Sequence, residues 1–330
     1  MEESPVFVIR DNTRNELKIN RQTCRIEESD IQRPLKDLKI TPRVEEIAHK
    51  LKTKSCIKLS ELQFLKNALI DDAKNIELVL EVNGALRGII REISGHEVNK
   101  QCAAVGCLCN LALGDTRCCA VVAKAAGPYL VTALDSLTTE FAVLCAWSIG
   151  NLAGSGTKVC EILSAQGAIA KLTEVLSLKN PEVQDAALYA LTHLAFHLKD
   201  ELKTEYLPKI LEGISKNDIN VTSAQLLFIL SCHKDFVPTN CFIVVQKILK
   251  NIPDAIGNHL NCENKELCCH LEYLLRTLAN AEVASVYSEI LDCFVTNKCS
   301  DNLKYFLKTE TKLSDSLLWL LGNLFKYCSS

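Results

Sequence analysis

Two short segments of this chain pair a tryptophan with an asparagine four residues later. They read Trp-Ser-Ile-Gly-Asn-Leu from Trp147 and Trp-Leu-Leu-Gly-Asn-Leu from Trp319. An indole face attracts a cation with about 0.5–2 kcal/mol, and a carboxamide both donates and accepts hydrogen bonds. Because residues four apart lie one above the other on a helix, helical periodicity predicts that Trp147 and Asn151 point together away from the core.

Histidine and cysteine groups elsewhere have spacings that argue against a metal site. His193 and His197 lie four apart, but no glutamate follows the first histidine as it does in a zinc-protease motif. Adjacent helical cysteines point about 100° apart and cannot easily share a tetrahedral centre. We therefore expect no metal, a position for His193 on the surface shared by the stacked helices, and core thiols at most cysteines. The cysteine groups are Cys107-Leu108-Cys109, Cys118-Cys119 and Cys268-Cys269-His270.

Loops that hold phosphates or nucleophiles are missing from the sequence. It contains no G-x-G-x-x-G, no G-x-x-x-x-G-K and no nucleophile elbow. The glycines between Gly150 and Gly156 fit the end of a helix. The sequence therefore predicts neither a cofactor nor an enzyme.

The two tryptophan segments belong to an internal repeat, because their separation of 172 residues equals four units of 43. Between them, apolar helices end repeatedly in Leu followed by Ala or Ser. The position held by Asn151 is occupied in turn by Asn110, Asn151, His193, Ile229, Thr277 and Asn323. The successive spacings are 41, 42, 36, 48 and 46 residues, which is typical of armadillo or HEAT solenoids and excludes shorter repeats.

A recurring glycine supports the same phase. Gly84, Gly127 and Gly167 follow one another at 43 and 40 residues, and each is expected to precede a helix. After Gly167 the pattern predicts a helix over about 168–178, a break, and a longer helix over about 182–196.

Composition favours helices, since only 6% of residues are aromatic while 48% are hydrophobic. We expect an all-α, right-handed superhelical solenoid of armadillo-type three-helix repeats. It should span residues 44–330 with about six repeats and be open or truncated at its C-terminal end. Residues 1–43 should form a flexible, weakly basic N-terminal arm, because the first 60 residues carry 13 Lys/Arg against 10 Asp/Glu.

Charge and cysteine content indicate the compartment and the classes of partner. A formal net charge of −3 provides no footprint for nucleic acid or an anionic membrane. The 17 cysteines suit a reducing environment. With no secretion signal and no apolar segment of about 20 residues, the expected location is the cytoplasm, the nucleus or both.

The glycine before the second helix and the Trp-x-x-x-Asn-Leu on the third resemble the armadillo repeats of importin-alpha, which recognises nuclear localisation signals. The period extends this resemblance over about residues 60–330. In importin-alpha-like proteins the Asn amide binds the backbone of an extended basic peptide, and the Trp packs along a Lys or Arg stem. The resemblance implies a cargo protein with an extended basic segment as the partner, and nuclear import as the function. It nominates Trp147, Asn151, Asn110, Trp319 and Asn323.

The motif is incomplete in the middle of the chain. Gly106 stands four residues before Asn110, so that pocket lacks its indole wall. Asp115, the acidic residue nearest to Asn110, is expected to pair with a peptide Lys or Arg at modest energy. The remaining pairs are Tyr189 with His193, Gln225 with Ile229, and Tyr273 with Thr277.

The resemblance also implies that an importin-beta-type carrier could bind the N-terminal arm. Its basic residues recur every three or four positions, which would place them on one helix face if the arm folded on binding. Acidic residues interrupt the pattern, and dense Arg-Lys runs are missing. The basic residues are Arg10, Arg14, Lys18, Arg21 and Arg25.

Two alternatives stay open. Each tryptophan could fill a gap between stacked repeats instead of contacting a ligand. The chain could also be an assembly scaffold without nuclear-signal recognition, because the segment from Leu317 to Phe325 is too apolar for a terminal repeat, which normally has a polar outer face.

Overall fold

A computed structural model describes residues 40–53, 56–236, 241–261, 265–281, 283–309 and 311–328. Within these residues all regular secondary structure is helical. The chain divides into two compact units with the boundary between Ala168 and Ile169, here called unit 1 and unit 2. Most of the predicted N-terminal arm, residues 1–39, lies outside the described residues.

Unit 1 contains eight described helices. They are α1 Ile40–Lys52, α2 Leu59–Asp71, α3 Ala73–Glu81, α4 Ala85–Ile93, α5 Val98–Leu111, α6 Thr116–Ala133, α7 Thr139–Ala153 and α8 Thr157–Ala165.

Unit 2 contains nine described helices and two short 3₁₀ turns, Lys199–Glu201 and Thr204–Tyr206. The helices are α9 Ala168–Val175, which starts at the boundary, α10 Pro181–Leu198, α11 Leu207–Ser215, α12 Val221–Ser231, α13 Cys241–Asn261, α14 Lys265–Ala279, α15 Ala284–Thr296, α16 Ser300–Thr309 and α17 Thr311–Cys328.

Helix α1 begins at Ile40, four residues before the expected start of the solenoid, because a proline is tolerated in the first turn and Pro42 occupies that turn. Its apolar side chains at Val44, Ile47 and Leu51 are fully buried, and α1 packs on α4. Burying each such side chain stabilises the fold by about 1.5–3 kcal/mol.

Third helices of successive repeats pack side by side within each unit. In unit 1, α5 lies between α2 and α7. In unit 2, α10, α12, α14 and α17 pack in that order. The middle helix of the unit 1 row is buried at every residue from Cys102 to Leu111, which its small side chains permit. The predicted repeat phase therefore agrees with the helix packing.

Gly127 does not precede a helix, so the sequence prediction was wrong there. It lies inside α6, where the first two helices of the repeat are fused into one that also contains Pro128. A Cβ at position 127 would come within 1.9 Å of the Gln166 side-chain oxygen, while the Gln166 amide donates to the carbonyl of Ala123 at 3.1 Å. Close approach of this glutamine requires the glycine. Gly84 and Gly167 do precede helices and have positive φ angles of 100° and 87°.

Polar side chains end the helices at the repeat corners. Asp72 and Asn180 cap the N-termini of α3 and α10. Gln101 and Gln184 hold equivalent places in α5 and α10. Gln101 donates to the carbonyl of Ile93, the last residue of α4, and Gln184 donates to the carbonyl of Leu176, the residue that follows α9. These glutamines satisfy carbonyls that a helix end leaves open.

Candidate peptide-binding surface

Trp147 lies on the accessible stripe of α7. After Thr139, the residues of α7 that are not buried are Glu140, Val143, Leu144 and Trp147. Glu140, Leu144 and Trp147 follow the i, i+4, i+7 spacing of one helix face. This stripe offers a carboxylate, an aliphatic surface and a partly covered indole to a ligand.

Asn151 and Asn110 do not face solvent, so the prediction that Asn151 points away from the core with Trp147 was wrong. Their residues are only 7% and 1% exposed. The Asn151 amide nitrogen donates to the Cys109 carbonyl at 3.2 Å, and the Asn110 amide nitrogen donates to the Lys66 carbonyl at 2.5 Å. A buried amide needs such partners, and the neighbouring third helix provides them.

These bonds set the register of the third helices in unit 1. Each asparagine reaches a carbonyl 42 or 44 residues earlier, and Cys107 Sγ similarly contacts the Leu62 carbonyl at 3.4 Å. This register aligns Asn67 of α2 with Asn110, a position that the repeat analysis missed. The signal was the Lys-Asn-Ala-Leu of α2, whose asparagine precedes Asn110 by 43 residues.

Lys66 occupies the place where the second repeat lacks an indole. A Cβ on Gly106 would lie 2.6 Å from Lys66 Cδ, so the lysine stem lies directly over the glycine. By the register of Asn151 with Cys109, Trp147 lies beside Gly106 on the other side. The predicted gap at Gly106 is thus filled by a basic side chain of the protein itself.

Asp115 is a helix cap, and no described contact joins it to Asn110. Its carboxylate accepts a hydrogen bond from the Cys118 backbone N–H at 2.7 Å at the start of α6. This bond lowers the pKa of Asp115 below its usual value. The carboxylate borders a depression shared with Ile76 and Glu77 of α3. Its expected role toward a peptide stays a prediction.

Tyr189 and His193 lie together on α10 in unit 2, with ring centroids 4.8 Å apart and an edge-on arrangement. His193 is only 8% exposed, so the prediction that it lies on the surface shared by the stacked helices was wrong. The imidazole packs against the phenol because the two residues are one helical turn apart. In the described residues, no group of three or more His, Cys, Asp or Glu side chains is arranged to hold a metal ion.

A network of side chains connects α12, α14 and α17 further along unit 2. The Phe228 and Tyr273 rings stack at 6.1 Å, and Arg276 Cζ lies 5.5 Å from the Phe228 ring centre. Arg276 also pairs with Glu272 at 2.5 Å and donates to Ser316 Oγ at 3.0 Å. This surface therefore carries its own cation.

The second tryptophan and asparagine pair lies on α17. Asn323 donates from its amide nitrogen to the Ala279 carbonyl of α14 at 2.7 Å, as the other asparagines do toward their preceding helices. Trp319 is 43% exposed. In three repeats, therefore, the asparagine joins third helices, and the two tryptophans keep accessible surface.

Two thiols of unit 1, Cys107 and Cys145, are buried and inert. Burial raises the pKa of Cys107 to about 12, and burial also raises the pKa of Cys145 well above its usual value. Since the thiolate is the reactive form, neither cysteine is a nucleophile at neutral pH. The interpretation of these two cysteines as core thiols is confirmed.

Solved structures of engineered proteins share this fold. One engineered protein matches with a TM-score of 0.68 and 19% identity, over 85% of this chain and 68% of that chain. A designed armadillo repeat protein matches with a TM-score of 0.56 and 18% identity, over 72% of this chain and 99% of its own. No protein-family model matches the chain. These likenesses confirm the predicted all-α, armadillo-type solenoid. None of the described helices combines the length and apolarity that crossing a membrane requires.

Proposed function

We propose that this protein is an adaptor without catalytic activity that binds an extended segment of another protein along the third helices of unit 1. The observation that carries the proposal is the accessible stripe of α7, which ends in the partly covered indole of Trp147. The armadillo-type fold supports it, because solenoids present extended surfaces built from repeated helices.

The stripe suits a basic side chain. A lysine or arginine stem lying against Trp147 gains about 0.5–2 kcal/mol. Its charged end would pair with the exposed carboxylate of Glu140, which adds at most about 1 kcal/mol at a solvated site. Lys66 opposes this attraction, because its stem reaches over Gly106 of α5 and brings a like charge toward the stripe. The expected affinity is therefore modest and sensitive to salt.

The buried asparagines contribute to this surface indirectly. Since Asn110 and Asn151 donate to neighbouring helices, they hold the third helices in register. The peptide is bound mainly by side-chain contacts on α7, and replacement of either asparagine would loosen unit 1.

Nuclear import is the function that we propose for such an adaptor, on the resemblance of its repeats to importin-alpha. The bound segment is then a nuclear localisation signal of a cargo protein, and residues 1–43 bind an importin-beta-type carrier. The protein works in the cytoplasm and the nucleus. Import of a fluorescent cargo into the nuclei of permeabilised cells, with and without this protein, tests this step separately from peptide binding.

Two variants that should change the peptide affinity in opposite directions test the binding surface. Fluorescence anisotropy with a labelled peptide of alternating lysine and arginine should show that Trp147→Ala weakens binding by about 2- to 30-fold. Lys66→Ala should strengthen it by about two- to fivefold, because a like charge is removed and Gly106 is uncovered. The glutamate counterpart of the peptide should bind less well than the basic one.

Matched controls are available on α6, outside the stripe formed by Glu140, Leu144 and Trp147. Tyr129 is 47% exposed and Lys124 is exposed, so Tyr129→Ala and Lys124→Ala remove an aromatic ring and a positive charge elsewhere in unit 1. Neither should change the affinity. Equal binding of the basic and acidic peptides, or binding unchanged in Trp147→Ala, would reject the proposed surface.

A further inference from the structure

The last described helix, α17, exposes an apolar stripe. Leu318, Leu321 and Phe325 are 59%, 37% and 76% exposed, and their i, i+3, i+7 spacing puts them on one face. Gly322 lies among them, and a Cβ added there would meet no atom within 4 Å. A second helix can therefore approach α17 closely at this face.

The same positions are covered in the preceding repeats of unit 2. By the register of the bond that Asn323 donates to α14, Leu318 and Leu321 correspond to Leu275 and Leu278, which are both 0% exposed. Helix α17 itself covers that face of α14, since Asn323 bonds to the Ala279 carbonyl. The apolar stripe of α17 therefore corresponds to the surface of α14 against which α17 packs.

Apolar exposure is concentrated at this end of unit 2. Fifteen large apolar side chains are exposed in the described part of the chain, and seven of them lie between Leu291 and Phe325. Exposed apolar side chains that lie together on one helix face, as those of α17 do, mark an interaction site.

We propose that this face binds a second copy of the same chain, with α17 packed antiparallel against α17 about a twofold axis near Leu321 and Gly322. The face is shaped to receive the third helix of an armadillo-type repeat, and each copy provides such a helix with the same stripe. A twofold interface must be self-complementary. The exposed Asp315 and Lys326 at the two ends of the stripe meet this requirement, because an antiparallel pair brings unlike charges together.

Analytical ultracentrifugation of the full chain under reducing conditions tests the proposal. Between about 1 µM and 100 µM the protein should show a dimer whose fraction rises with concentration. The triple variant Leu318→Gln, Leu321→Gln, Phe325→Gln should dissociate at least about tenfold more readily. All three positions are exposed, so circular dichroism should be unchanged. Val121→Gln, at a 51% exposed site of unit 1, is the matched control and should leave the dimer intact.

A photo-reactive phenylalanine analogue at position 325 identifies the occupant. The expected cross-link joins residue 325 to a peptide from the region 311–328 of a second copy. A protein that is monomeric throughout this range, a dimer that survives the triple variant, or a cross-link to any other segment would overturn the proposal. None of these results depends on whether unit 1 binds a peptide.

Discussion

Two helical glycines of unit 1, Gly88 and Gly106, test the packing because adding one methyl group should have opposite effects at the two positions. Both lie inside helices, α4 and α5, where exchanging glycine for alanine stabilises the helix by about 1 kcal/mol. At Gly88 a Cβ would come within 2.5 Å of the Leu51 backbone oxygen and 2.7 Å of Leu51 Cβ. At Gly106 it would meet only the flexible stem of Lys66.

The size of each stability change depends on whether the atoms next to the added methyl group can move. The carbonyl of Leu51 belongs to helix α1, which cannot shift alone, and overpacking of this kind costs about 1–3 kcal/mol or more. Gly88→Ala should therefore destabilise unit 1 by up to about 2 kcal/mol despite its better helix propensity. Lys66 can swing away at little cost, so Gly106→Ala should stabilise unit 1 by about 0.5–1 kcal/mol.

Urea denaturation followed by tryptophan fluorescence measures this difference. The chain has two tryptophans, one in each unit, so Trp319→Phe leaves Trp147 as the only indole and makes the signal specific to unit 1. In that background the two alanine variants should differ by about 2 kcal/mol in unfolding free energy. If Gly88→Ala proved as stable as Gly106→Ala, the close packing of α4 on α1 would be refuted.

Two further predictions concern titratable groups. In the native protein at neutral pH, iodoacetamide followed by mass spectrometry should modify the exposed Cys56 and spare Cys107, whose pKa is raised to about 12, whereas fast labelling of Cys107 would contradict its burial. Burial lowers the pKa of His270. As the pH falls, His270 is therefore protonated in the unfolded chain before it is protonated in the native protein. The stability of unit 2 should then be constant above about pH 6.5 and fall below it. Urea midpoints measured from about pH 5 to about pH 8 follow this loss of stability. The loss should be smaller in His270→Phe, and an equal loss in both proteins would contradict the assignment to His270.

Much of the fold could be predicted from local sequence. The third helices can be recognised by their recurring Leu-Ala endings and asparagines. The spacing of these residues gives the length of the repeat directly. The break before α10 was also predictable, because Asn180 caps the helix and Pro181 can only open it. The fusion of two helices into α6 was not, since the glycine at position 127 serves the approach of Gln166, a residue 39 positions away in the sequence.

The candidate site was predicted only in part. Helical periodicity correctly put Trp147 on an accessible face, but the same reasoning put Asn151 there as well. Periodicity describes one helix at a time and does not indicate which carbonyl of the neighbouring helix will accept a hydrogen bond. The partner of Asn151 is the backbone of Cys109, and any residue type at position 109 would present the same group.

The sequence by itself determined the all-helical class, the repeat length and the identity of the third helices, because these depend on side-chain patterns within about one repeat. Only the tertiary structure determined which polar groups form hydrogen bonds between repeats, which basic side chain covers Gly106, and which apolar face of α17 is exposed. Those outcomes depend on distances between helices that are some forty residues apart in the chain, where backbone carbonyls and side-chain stems meet without a pattern in the residue types.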